Sequence, residues 1–270
     1  MNTPGESVQP TAPERPPSRP LGARFRDDVV DLWRFIRKPS LGPRRPGRHA
    51  GSIGVADAVS GLAWRRLLAW AAVLWLLNAG VLGPLAVQAA SAGGSTHRLD
   101  MHNIPWFTGF LWAPLVEELT FRYGLRRPLQ ALWLVPIAAF AMVKGPQTWA
   151  VWMMAIAILV AFWTLREGPV RRVRVHGWRR LYRKHFGWVF YGASLGFAAL
   201  HLANFNLGAI PWWMMPVLVL PQFAAGVVMG WVRMRRGIGA SIVLHALYNG
   251  GPLLLLFLAM QVVSPEALGG

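Results

Sequence analysis

Residues 104–125 read IPWFTGFLWAPLVEELTFRYGL. The stretch has the length and apolar character of a membrane span, yet it carries two adjacent carboxylates, Glu117 and Glu118. Each charged side chain near a bilayer centre costs about 2.5–3.5 kcal/mol on insertion scales, and ionisable residues kept there despite the cost mark function. Glu118 and Arg122 are four apart and share a helix face, with the acid N-terminal to the base, the favoured order. Glu117 points about 100° away and lacks that partner. Glu118 therefore reads as a structural ion-pair residue and Glu117 as the candidate general base. A Glu–Arg clasp that only pins helices together is the plainer alternative. Pro114, one turn earlier, removes a backbone hydrogen bond and is expected to bend the helix.

Other apolar stretches extend the pattern. The segments near 64–90, 104–125, 128–143, 148–165, 188–204, 211–232 and 238–263 give about seven spans, so the expected fold is an all-α polytopic membrane bundle. The composition agrees: 54% of residues are hydrophobic, only 14% are charged, and fifteen tryptophans suit interfacial belts. With the N-terminus in the cytoplasm, all but two of the 28 basic residues (Arg98 and Lys144) fall on the cytoplasmic side. The net charge of +17 is thus read as topological; nucleic-acid binding is set aside because no base-stacking platform is visible. The absence of cysteine excludes disulfides, thiolate metal sites and a cysteine nucleophile.

The expected organisation has three parts. Residues 1–23 form a disordered proline-rich tail, residues 24–63 a cytoplasmic amphipathic helix and basic linker, and residues 64–263 the membrane domain. In 24–38, Phe25, Val29, Leu32, Trp33 and Ile36 recur at helical spacing with charges on the other face, which predicts an interfacial helix; a surface helix packing on the protein's own cytoplasmic loops is the alternative. Twelve basic residues in the first 66 make anionic lipid a candidate partner of this arm. The preponderance of arginine over lysine points weakly to a GC-rich bacterial genome, and the expected location is the plasma membrane.

Two further motifs carry chemistry. Phe197 and His201 are neighbours across one turn, followed by Asn204; His245 and Asn249 are also four apart and can both donate towards one point, as an oxyanion hole requires. A Gly-x-Ser-x-Gly sequence at 192–196 is a decoy, because a nucleophile elbow needs a strand-to-helix turn and Ser194 lies in a helical span.

Glu-Glu-x-x-x-Arg, then Phe-x-x-x-His, then His-x-x-x-Asn, in this order on separate spans, resembles the CPBP family of intramembrane proteases, which includes the type II CAAX prenyl proteases and bacterial abortive-infection and bacteriocin-processing relatives. The resemblance covers residues 104–250. It implies that Glu117 activates a water, that His201 helps to bind and orient it, and that His245 and Asn249 stabilise the oxyanion. Glu118, Arg122, Phe197 and Asn204 would organise the site. The substrate would be a membrane protein or hydrophobic peptide. Glu117, His201 and His245 would also make a His₂Glu zinc set, so a zinc ion and a metal-free glutamate-activated water both stay open, with no His-Glu-x-x-His signature present. Two other classes compete: a non-enzymatic membrane scaffold or chaperone, and a proton-coupled transporter with Glu117 as relay.

Overall fold

A computed structural model describes residues 24–42, 62–98, 105–164, 176–208 and 210–262. The expected N-terminal tail and most of the basic linker lie outside these residues. The described chain is almost wholly helical. Helix α1 spans Phe25–Arg37. Helix α2 (Trp64–Leu77) runs through a π-helical turn (Asn78–Leu82) into α3 (Gly83–Ala92). A second π-helical turn (Thr108–Trp112) leads into α4 (Ala113–Phe121), which carries the glutamates. Helices α5 (Pro128–Lys144), α6 (Thr148–Thr164), α7 (His176–Lys184) and α8 (Phe186–Leu200) follow. Helix α8 ends in a 3₁₀ turn at His201–Asn204. Helices α9 (Met215–Leu218), α10 (Leu220–Arg235) and α11 (Ile238–Val262) complete the order. Two unanticipated two-residue strands, β1 (Thr96–His97) and β2 (Phe205–Asn206), pair antiparallel.

Among the described residues, three helices are long and apolar enough to cross a membrane by length and composition: Trp64–Ala92, Phe186–Asn204 and Ile238–Leu255. Helices α5 and α6 are apolar but shorter. The stretch expected as one span over 211–232 is divided into α9 and α10, and the latter runs on to Arg235.

Proline sets the backbone accounting at the two places that shape the centre. In α11, Pro252 has no N–H to offer Tyr248 O four residues earlier; Trp75 Nε1 from α2 donates to that carbonyl instead, at 3.1 Å. In the π-helical turn, Pro114 has no N–H for Gly109 O five residues back. Asn249 Nδ2 donates to it at 3.2 Å. Gly250 and Gly251 allow this close approach. A Cβ on Gly251 would lie 1.9 Å from the Trp75 ring, and one on Gly250 would lie 2.2 Å from the Phe110 ring.

The arginine-rich ends of the helices gather on one side, and α1 lies across them. Leu32 and Phe35 are buried with Trp70, Phe190 and Trp231. The expectation that the charges of α1 occupy its outer face is corrected here. Asp28 is fully buried between Arg66 (3.0 Å) and Arg236 (3.1 Å), and Asp31 takes Arg235 Nε at 2.7 Å and Trp231 Nε1 at 2.8 Å. The cationic helix ends draw these acids inward, and Val29, Val30 and Trp33 are left exposed. At the α10–α11 junction Gly237 adopts a positive φ of 113°, and Arg236 N and Gly237 N both donate to Val232 O, a glycine-terminated helix end.

Candidate active site

Helices α4, α8, α10 and α11 bring the three motifs into one cluster. Glu118 is its fixed point. It is fully buried, and its Oε1 accepts from Arg122 Nη1 at 2.7 Å. The same oxygen lies 3.0 Å from His245 Nδ1, and Oε2 lies 2.5 Å from Ser241 Oγ. A carboxylate beside a guanidinium is an acceptor, so His245 Nδ1 is the donor in that pair. The other imidazole nitrogen, Nε2, then faces Glu117 Oε2 at 3.7 Å. Glu117 Oε2 is buried and takes no hydrogen bond among the described residues.

Glu118 sits behind the imidazole of His245, where a carboxylate holds the ring's orientation and steadies any positive charge it takes up. Glu118 thus does more than pair with Arg122: it orients the imidazole.

Phe197 ties the constellation together. Its ring centroid is 4.7 Å from that of His201 and 5.5 Å from that of His245, and Arg122 Cζ lies 3.8 Å over its face. This is a cation–π contact in a dry setting, where such contacts are strongest. His201 Nδ1 lies 2.9 Å from Phe197 O. A carbonyl only accepts, so Nδ1 carries a proton, and in the neutral ring Nε2 keeps a lone pair. His201 is within electrostatic reach of Glu117, His245 and Arg122.

The remaining sequence-predicted residues are placed as follows. Asn249 is adjacent through α11 but spends one amide N–H on Gly109 O; the second N–H is left for another acceptor. Asn204 is exposed on the 3₁₀ turn, and its carbonyl accepts from Arg98 N at 2.8 Å; it supports the turn beyond His201 rather than the carboxylate cluster. Ser194 is buried, and its hydroxyl donates to Phe190 O at 3.0 Å within the helix.

Four contributing residues were not singled out in the sequence. Ser241 is one turn before His245, on the same face, and that spacing was a usable signal. Gly226 and Gly230 form a Gly-x-x-x-Gly pair on α10. A Cβ on Gly226 would lie 3.1 Å from Phe197 Cδ1 and 3.2 Å from Arg122 Nη2, and one on Gly230 would lie 2.7 Å from Phe190. Arg233 is fully buried and donates from Nε to Arg122 O at 3.1 Å, capping the C-terminal end of α4 with a cation.

The zinc alternative fits poorly. A guanidinium adjoins the cluster, and no group of three His, Asp or Glu side chains suited to a metal ion occurs among the described residues. The His₂Glu set that Glu117, His201 and His245 would make under the zinc alternative is not among the groups found.

Against known proteins, a family model described as type II CAAX prenyl endopeptidase Rce1-like matches residues 170–251, in agreement with the resemblance carried by the motifs. The matched region contains Phe197, His201, His245 and Asn249; the glutamate motif lies before it and is joined to it by the contacts of Glu118. No curated protein and no solved structure matches the chain.

Proposed function

We propose, with the Rce1-like domain as premise, that this chain is an intramembrane endopeptidase that hydrolyses a peptide bond with a glutamate-activated water. The observation that carries the proposal is His245 between the two glutamates: Nδ1 at 3.0 Å from Glu118 and Nε2 at 3.7 Å from Glu117. A clasp would need only Glu118 and Arg122. The second buried carboxylate adds cost without adding a clasp.

A water between Glu117 and His201 would donate one hydrogen bond to the carboxylate and one to the free lone pair of His201 Nε2. Glu117 takes a proton as the water oxygen bonds to the scissile carbonyl carbon. The carbonyl π electrons move to oxygen, and the oxyanion is received by protonated His245, backed by Glu118, and by the second amide N–H of Asn249. Collapse restores the carbonyl and breaks the C–N bond. The proton on Glu117 passes to the leaving nitrogen. Ser241 and Arg122 hold Glu118 in place, and Phe197 sets the imidazole planes.

The substrate would be a membrane-associated or hydrophobic peptide with a locally unwound or C-terminal segment, because a closed helix hides its carbonyls. We read the topology as about seven crossings over residues 64–263 in the plasma membrane, with the N-terminus cytoplasmic. The basic arm of residues 24–63 would lie on that side against anionic lipid. Comparative membrane proteomics of cells with wild-type and Glu117→Gln protein tests the activity. A C-terminal or juxtamembrane fragment present only with wild type supports it. Identical fragment patterns, with both proteins inserted at equal levels, would overturn it.

A further inference from the structure

Helix α7 sits outside the catalytic cluster. Its inner face is pinned. Tyr182 Oη lies 3.1 Å from Gly124 O and 3.2 Å from Leu125 O, just beyond the glutamate helix, and its ring packs edge-on against Phe186. Beside it runs an exposed apolar stripe that starts at Trp178, whose ring stacks on that of Tyr182 with centroids 6.3 Å apart. Trp178 and Leu181 are exposed at 47% and 52%, and the stripe continues at helical spacing onto α8, where Trp188 is 81% exposed. Exposed Lys184 and Arg180 border its Leu181 side, and exposed Arg183 lies across the helix from it.

An exposed tryptophan–leucine stripe bordered by cations is the composition of a helix that lies in a bilayer interface, apolar side among the acyl chains and cations at the phosphates. The stripe also runs directly into Phe186–Asn204, one of the three helices long and apolar enough to cross a membrane. We infer that α7 is an interfacial binding site for anionic phospholipid headgroups, with Trp178, Leu181 and Trp188 in the apolar layer and Arg180, Arg183 and Lys184 on the phosphates. Arg180, Arg183 and Lys184 thereby act as a docking element as well as markers of topology. The occupant is a lipid because one short exposed helix carries both the apolar stripe and the cations, and a soluble anion would leave the stripe unused. The inference rests on the membrane setting alone and not on the protease reading.

The chain has no cysteine, so Leu181→Cys carries a single environment-sensitive fluorophore without further change. The full-length protein is reconstituted in nanodiscs of pure phosphatidylcholine and of phosphatidylcholine with about one-third phosphatidylglycerol, compositions chosen to vary surface charge alone. The expected result is a blue-shifted emission, quenched by lipid-borne quenchers, that increases with phosphatidylglycerol and decreases with added salt. The triple substitution Arg180→Ser, Arg183→Ser, Lys184→Ser, outside the catalytic cluster, is expected to abolish the phosphatidylglycerol dependence while leaving thermal unfolding unchanged. A label that stays water-exposed in both bilayers overturns the inference. So does one equally immersed in both, or one whose response survives the triple substitution.

Discussion

His245 Nδ1 lies 3.0 Å from Glu118 Oε1, across 127 positions of sequence. This bond fixes which imidazole nitrogen faces Glu117, and so turns an ion pair on one helix into a two-helix arrangement with a defined proton direction.

Glu118→Gln removes the counter-ion of Arg122, which is only 1% exposed and already has Nη2 unpaired among the described residues. Breaking a buried pair from one side costs about 3–5 kcal/mol. The expected outcome is a large fall in the thermal unfolding midpoint in detergent together with loss of cleavage. Glu117→Gln, which breaks no ion pair with an arginine, is expected to leave that midpoint nearly unchanged.

Ser241→Ala leaves Glu118 Oε2 without the hydroxyl at 2.5 Å. A buried acceptor that loses its donor costs about 1–3 kcal/mol. Unfolding curves of wild type and variant measure this directly. Turnover should fall by less than in Glu118→Gln, because Arg122 and His245 still hold the carboxylate.

Gly226→Ala adds a methyl group 3.1 Å from Phe197 Cδ1 and 3.2 Å from Arg122 Nη2. The ring must give by a few tenths of an ångström, and it carries both imidazoles. Misplacement of a catalytic group on the order of 1 Å can cost about 10²-fold, so the variant should remain folded while kcat drops. Gly251→Ala, with 1.9 Å to the Trp75 ring, should lose folded protein instead. A pulse-chase of both variants separates the two effects.

The alkaline limb of stability should report Tyr182. Burial pushes its phenol from an ordinary value of 10.0 up to about 12, with the charge of Arg233 opposing the rise. A folded pKa raised above the unfolded one stabilises fully below about pH 10, and that contribution is lost as pH rises through about 12. Tyr182→Phe should flatten the fall in stability over this window. Thermal unfolding across the pH series checks it.

Much of this was legible in sequence because helical spacing is local. The Glu118–Arg122 pair, the Phe197–His201 contact and the apolar stretches all follow from three- and four-residue steps. What was hidden is long-range. Nothing near Asp28 announces Arg66 and Arg236, so Asp28 and Asp31 read as part of a solvated face when they point inward. Asn249 reads as a free donor until Pro114 orphans Gly109 O on another helix. Gly226 and Gly230 carried a readable small-residue signal, whereas β1–β2 pairing between two-residue segments carried none.

The most direct test of the central claim uses one preparation of Glu117→Gln, assayed both for the substrate fragment identified by membrane proteomics and for its thermal unfolding midpoint. The account predicts a midpoint close to wild type and cleavage reduced by about 10²–10⁴-fold, the usual contribution of a positioned general base. Cleavage at the wild-type rate by the folded variant would contradict it.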